Sequence, residues 1–142
     1  MQFLEEYQEI VSKAIDKYTF KDKPEELYAP MNYIISHGGK RLRPIMVLMA
    51  NDMFGGDLQK AIKPALAIEF FHNFTLIHDD IMDEAPLRRN KPTIHTLHGI
   101  NAGILSGDGL LLKAYKFFDD LEPELFKACI RVFTHTGLLL CE

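Results

Sequence analysis

Between Glu69 and Thr93 the chain reads EFFHNFTLIHDDIMDEAPLRRNKPT. Asp79, Asp80, Asp83 and Glu84 fall at the end of a long apolar helix pattern, and Arg88, Arg89 and Lys91 follow at once. The last turn of a helix carries the partial negative end of the backbone dipole, so acids are disfavoured there. Asp79 and Asp83 are also like charges one helical turn apart, which is mildly destabilising. Both costs are offset if the carboxylates hold a cation. Helical geometry stacks Asp79 and Asp83 on one face with Asp80 beside them. Carboxylate oxygens suit hard cations, and magnesium in particular takes one or two carboxylates, keeps several waters and draws further ligands from a substrate phosphate. The ordinary alternative is a solvated acidic helix end, against which the dipole argument runs.

His72 lies two turns before Asp79 on the same face. Alone, such a histidine in an apolar helix is a core residue; sharing a face with the acids makes it a candidate ligand contact. His78 points elsewhere, and His95 and His98 have no evident ligand partner. A second basic cluster, Lys40 and Arg43, follows the double glycine Gly38-Gly39. Arginine forks recognise phosphate oxygens through two parallel hydrogen bonds. Either basic cluster alone reads as a solvated loop. Two of them around one acidic cluster point to a polyphosphate substrate, held partly through metal and partly directly. No P-loop pattern is present.

The elements that must position these groups read as helices. Phe3, Leu4, Tyr7, Ile10, Val11, Ala14, Ile15 and Tyr18 recur at helical spacing over residues 2–18. Pro24 with Glu25 and Glu26 opens a second helix, running to about Ser36 with a kink at Pro30 and stopped by Gly38-Gly39. Arg43-Pro44 leads into the apolar IMVLMANDMF. Asp57 is a candidate N-cap for a central helix over about 58–84, apolar on most sides through Ala65–Ile77. Residues 85–93 read as a polar loop, and Thr93 as the cap of a short helix, Ile94–His98. The next helix carries Gly103, Ser106, Gly107 and Gly109. Glycine inside a helix is costly relative to alanine, so this run predicts very close approach by another helix or a ligand. Pro123 starts a last helix. No run alternates with period two, so no strand is expected. The fold class is all-α, with about seven helices in a single domain over 1–142.

Bulk properties set limits on function. The 142 residues carry a net charge of −4, with 47% hydrophobic and 25% charged residues. That balance and the lack of an extended basic face exclude a general nucleic-acid binder. No apolar run reaches the roughly 18 residues of a membrane span. Cys129 and Cys141 have neither metal-ligand nor disulfide-framework spacing, and Met1 opens an amphipathic pattern rather than a cationic signal peptide, so a cytoplasmic location is expected.

Four separated segments, GGKRLRP at Gly38–Pro44, HDDIMD at His78–Asp83, LRRNKPT at Leu87–Thr93 and HGINAGILSGD at His98–Asp108, together resemble the trans-prenyltransferase (polyprenyl diphosphate synthase) family, in its order. The resemblance implies an isoprenoid-synthase-type helical bundle around a central cavity. It also implies magnesium-dependent, head-to-tail condensation of isopentenyl diphosphate with an allylic diphosphate. By position, Lys40, Arg43 and His72 would hold isopentenyl diphosphate, with Arg89 helping. Asp79 and Asp83 would ligate magnesium on the allylic diphosphate, Arg88 would contact that diphosphate, and Asp80 would act less directly. Phe74 lies five residues before Asp79, about 7.5 Å deeper along the helix, beside the small Thr75. In the family an aromatic there, with no insertion in the acidic motif, looks most like a geranylgeranyl-type or farnesyl-type enzyme.

Family members are roughly twice this long, and the second aspartate-rich motif is not in the chain. With the uncapped apolar run Thr136–Cys141, this leads to the expectation of an N-terminal half with little turnover alone, whose uncovered apolar faces favour homo-oligomers. A non-catalytic partner subunit and a terpene cyclase are the alternatives. A pure scaffold has no use for both intact motifs, and a cyclase has none for Lys40, Arg43 and His72.

Overall fold

The computed structural model describes residues 2–142, with side chains from Leu4 onward. Met1 and the Phe3 side chain, both included in the expected amphipathic pattern, lie outside the described residues. Helix α1 (Gln2–Lys17) buries Tyr7, Val11, Ala14 and Ile15 along one face. Helix α2 (Glu25–Ser36) has Pro24 at its N-cap, Glu25 and Glu26 in its first turn, and Pro30 inside it, buried. Helix α3 (Leu42–Met53) begins directly after the GGKR loop.

Helix α4 (Leu58–Met82) is the centre of the fold. Asp57 caps it by accepting a hydrogen bond from the Gln59 amide at 2.8 Å. Its apolar residues are spread around the whole circumference, as a helix enclosed by others requires. Ala61, Ala65, Leu66, Ala67, Phe70 and Ile77 are all buried, and α3 and α6 pack against it. At 25 residues it is about 37 Å long, long enough to join the far core to the acidic end.

After α4 come β1 (Leu87–Arg88) and β2 (Lys91–Pro92), then α5 (Ile94–His98), α6 (Ile100–Lys116) and α7 (Pro123–Leu139). The seven expected helices are present among the described residues, and the fold is all-α. The expectation of no strand needs one correction. The polar loop contains an antiparallel hairpin pairing Leu87 with Pro92 and Arg88 with Lys91. Its turn residues Arg89 and Asn90 both have positive φ, 52° and 61°, the mirror-image turn that suits a two-residue hairpin loop. Strands of two residues are too short to show alternation.

The glycines of α6 do what their number implied. A Cβ on Gly103 would lie 2.8 Å from Ile81 Cδ1, one on Gly107 would strike the His78 ring, and one on Gly109 would lie 3.0 Å from Met31 Sδ. Thus α6 is drawn tightly onto α4 and α2. Helix α7 is held more lightly: Phe133 is its buried residue, packed on Phe71, Tyr115 and Phe118. Leu125, Val132 and Leu138 on α7 and Ile104, Leu105 and Leu112 on α6 are exposed. Among the described residues no helix is long and apolar enough to cross a membrane.

Candidate functional site

The acidic cluster forms where α4 stops. Asp79 and Asp80 occupy the last turn, Asp83 is the C-cap, and Glu84 turns the chain with φ 51°. The three aspartates then divide. Asp80 is 4% exposed and is clamped by Arg88, whose Nε donates to both carboxylate oxygens at 2.9 Å and whose Nη2 lies 2.9 Å from Oδ1. Asp79 and Asp83 are exposed, and among the described residues neither carboxylate has a partner. Arg88 also offsets the clash between the acids and the helix dipole. No three His, Cys, Asp or Glu side chains among the described residues converge as a metal cluster. Two free carboxylates on one helix end nevertheless fit magnesium, which needs few protein ligands when phosphate oxygens complete its shell.

The basic cluster forms between α3, α4 and the hairpin. Lys40, Arg43, His72 and Arg89 line one cleft of ≈ 340 Å³, with Arg41 and Glu69 at its base. Arg43 Nη1 lies 3.3 Å from His72 Nε2. Arginine can only donate, so Nε2 accepts and the proton of neutral His72 sits on Nδ1. Burial, then the Arg43 charge, holds the His72 pKa below its ordinary 6.5, with Glu69 pulling the other way. The imidazole is therefore neutral at neutral pH. A larger depression of ≈ 790 Å³ lies between residues 20–24 and α2, and none of the expected site residues lines it.

The glycines before α3 have separate reasons. Gly38 (φ 68°) makes a turn with open space around it, whereas a Cβ on Gly39 would lie 2.5 Å from Arg89 Nη1. Arg89 lies across that glycine and donates to the Gly38 carbonyl. Adjacent arginines thus serve the two clusters, Arg88 at the acids and Arg89 in the cleft.

The remaining residues are placed as follows. Phe74 is half-buried, edge-on to Phe71 and His78 with centroids 5.6 and 4.8 Å apart. Thr75 Oγ1 donates to the His72 carbonyl at 2.8 Å. His78 points away from the acids: its Nε2 is 3.3 Å from the Ile104 carbonyl and 3.8 Å from Asp108 Oδ1. His95 is half-buried and His98 exposed. Sequence reasoning passed over Arg41, Glu69 and Asn73. Arg41 Nη1 pairs with Glu69 Oε1 at 2.5 Å, and Asn73 Nδ2 donates to that same oxygen at 3.1 Å. The available signal was Glu69, a lone acid amid AIEFF.

The sequence pattern of the polyprenyl synthetase family matches residues 24–142. Geranylgeranyl pyrophosphate synthase of Geoglobus acetivorans is 38% identical over 143 residues, covering 99% of this chain and 45% of its own length. Geranylgeranyl diphosphate synthase of Methanosarcina mazei is 40% identical over 134 residues, covering 93% of this chain and 41% of its own. A crystal structure of a geranylgeranyl pyrophosphate synthase superposes with a TM-score of 0.94 at 42% identity, over 97% of this chain and 42% of that one. The chain spans less than half the length of each of these relatives.

Proposed function

The chain belongs to the polyprenyl synthetase family, and from that premise we propose that it carries diphosphate-binding machinery of a prenyl diphosphate synthase. The reaction is head-to-tail condensation of isopentenyl diphosphate with an allylic diphosphate in isoprenoid biosynthesis. The observation that supports this best is the separation of two complementary clusters: a cleft lined by Lys40, Arg43, His72 and Arg89, and a helix end with two carboxylates that have no partner among the described residues.

In this reading Lys40, Arg43 and His72, with Arg89, hold the diphosphate of isopentenyl diphosphate. Asp79 and Asp83 hold magnesium at the allylic diphosphate. The bound metal supplies positive charge that stabilises the departing diphosphate. Arg88 uses Nε and Nη2 on Asp80, leaving Nη1 for the same leaving group. The allylic carbon–oxygen bond breaks with its electron pair going to diphosphate. The isopentenyl double bond supplies the electrons of the new carbon–carbon bond, and the resulting cation gives a proton to the departed diphosphate, which restores a double bond. Holding two polyanions side by side offsets their repulsion and supplies much of the acceleration through proximity.

Phe74, with Thr75 beside it, limits the growing tail to farnesyl or geranylgeranyl length. Residues 1–142 act as one all-α domain. The exposed leucines of α6 and α7 support a homo-oligomer, and two unpaired cysteines support a cytoplasmic location.

Calorimetry tests the two subsites separately. Inorganic pyrophosphate should bind without metal and lose affinity in Lys40→Ala. A farnesyl thiodiphosphate should bind only with magnesium and lose affinity in Asp79→Asn. Metal-free binding of both ligands at a single shared site would overturn the reading.

A further inference from the structure

The cleft contains one arginine that cannot meet a ligand as its neighbours do. Arg41 sits between Lys40 and Arg43 in sequence, yet its backbone is left-handed, with φ 48°. That conformation is unfavourable for a side chain with a Cβ and persists only where the surroundings hold it. Here the guanidinium is turned inward. Nη1 pairs with Glu69 Oε1 at 2.5 Å, and Nη2 donates to the carbonyl of Ile35. The two side chains are 12% and 5% exposed. Glu69 is fixed in turn by Asn73, itself buried. The Arg41 carbonyl accepts the Ile45 amide at 3.2 Å, so the same residue starts α3. One side chain and its backbone therefore join the end of α2, the start of α3 and the middle of α4.

We propose that the buried Arg41–Glu69 pair is a positioning device that sets the direction of Lys40 and Arg43 into the diphosphate cleft, with neither member touching the ligand. This rests on the cleft being a diphosphate subsite. Glu69 is the informative partner. A carboxylate at the base of an anion site repels the ligand, so on charge alone its removal should tighten binding. If Glu69 holds Arg41, and Arg41 holds the loop, removal should weaken binding instead. The two roles predict opposite signs.

The test is calorimetric titration of the full chain with inorganic pyrophosphate, without metal. Glu69→Gln is expected to weaken binding by about tenfold or more, as misplaced contacts do. Arg41→Gln should weaken it similarly, and the double variant should be no worse than Arg41→Gln alone, since both break one device. Arg41→Lys keeps the charge but cannot span Glu69 and the Ile35 carbonyl together, so it should also weaken binding. Should Glu69→Gln fail to fold, Arg41→Lys decides alone. Tighter binding in Glu69→Gln, or unchanged binding in Arg41→Lys, overturns the positioning role while leaving the subsite intact. No pyrophosphate binding by the parent chain would overturn the subsite, and the positioning role with it.

Discussion

Arg88 and Arg89 are consecutive residues that join different clusters: Arg88 clamps buried Asp80, while Arg89 crosses Gly39 to reach the Gly38 carbonyl. The hairpin turn between Leu87 and Pro92 makes this split possible, and it separates structural from binding effects. Arg88→Ala leaves Asp80 buried without its partner and should cost about 1–3 kcal/mol of stability. Arg89→Ala removes an exposed side chain, so its unfolding free energy should stay within about 0.5 kcal/mol of the parent while pyrophosphate affinity falls. Urea unfolding beside calorimetry checks both. Equal destabilisation by the two substitutions would contradict the split.

The aspartates should divide in the same way. Asp79→Asn and Asp83→Asn change exposed groups that have no partner among the described residues, so stability should hold while magnesium-dependent binding of farnesyl thiodiphosphate drops. Asp80→Asn replaces a charge-assisted, two-oxygen contact with an amide that can no longer accept at both positions, and should destabilise by about 1–3 kcal/mol. Thermal melts and ligand titrations of the three variants distinguish these outcomes.

His72, Asp79 and Asp83 were legible as titratable groups out of place in an apolar helix pattern, and Lys40 and Arg43 only as one of two basic clusters around those acids. The close approach of α6 was legible for the same reason, since glycines in a helix need an explanation. Arg41 was not. It looks identical to Arg43 in sequence, and only a left-handed φ turns it inward. The division among the aspartates depends on Arg88 folding back from the hairpin, whose strands of two residues leave no periodic trace. The packing of Phe74 on Phe71 and His78 is common to a core ring and a tail stop, so its distance from Asp79 along the helix carries the chain-length reading.

Gly39 and Gly38 should respond unequally to alanine. Gly38→Ala meets open space and bears only the strain of φ 68°, about 1–2 kcal/mol. Gly39→Ala adds to its own strain at φ 136° a Cβ 2.5 Å from Arg89 Nη1, so the guanidinium must leave. Pyrophosphate affinity should therefore fall in Gly39→Ala well beyond Gly38→Ala, and Arg89→Ala should abolish the difference.

His72 gives the site a pH signature. Its pKa is lowered by burial first, then by the charges of Arg43, Arg89 and Arg88, with Glu69 opposing. A histidine depressed in the folded state binds fewer protons than in the unfolded chain, so its contribution to stability is full above the unfolded value near 6.5 and is lost as pH falls through the folded pKa. His37 is lowered too, by burial chiefly, with the Tyr33 carbonyl opposing and Lys91 and Arg89 assisting. Loss of stability in mild acid should therefore shrink in His72→Gln and shrink further when His37→Gln is added. In an NMR titration the His72 imidazole should move upward on adding pyrophosphate, because a bound anion favours the charged ring.

The helix contact under Phe74 supplies a last measurement. A Cβ on Gly107 would lie 2.6 Å from His78 Cδ2, and His78 is not free to yield. Its Nε2 faces the Ile104 carbonyl at 3.3 Å, and its ring is edge-on to Phe74 at 4.8 Å. Gly107→Ala should therefore cost about 1–3 kcal/mol by overpacking, despite the gain of about 0.5–1 kcal/mol that alanine brings to a helix interior. Gly103→Ala makes its one tight contact with the flexible end of Ile81, at 2.8 Å, and an ordinary one with His95 Cβ at 3.7 Å, so strain and propensity should nearly cancel. If the cost at Gly107 comes from the imidazole, His78→Ala should remove most of it in the double variant, a coupling that urea unfolding of all four proteins reads directly. Additive effects of Gly107→Ala and His78→Ala would place the strain in the helix backbones instead.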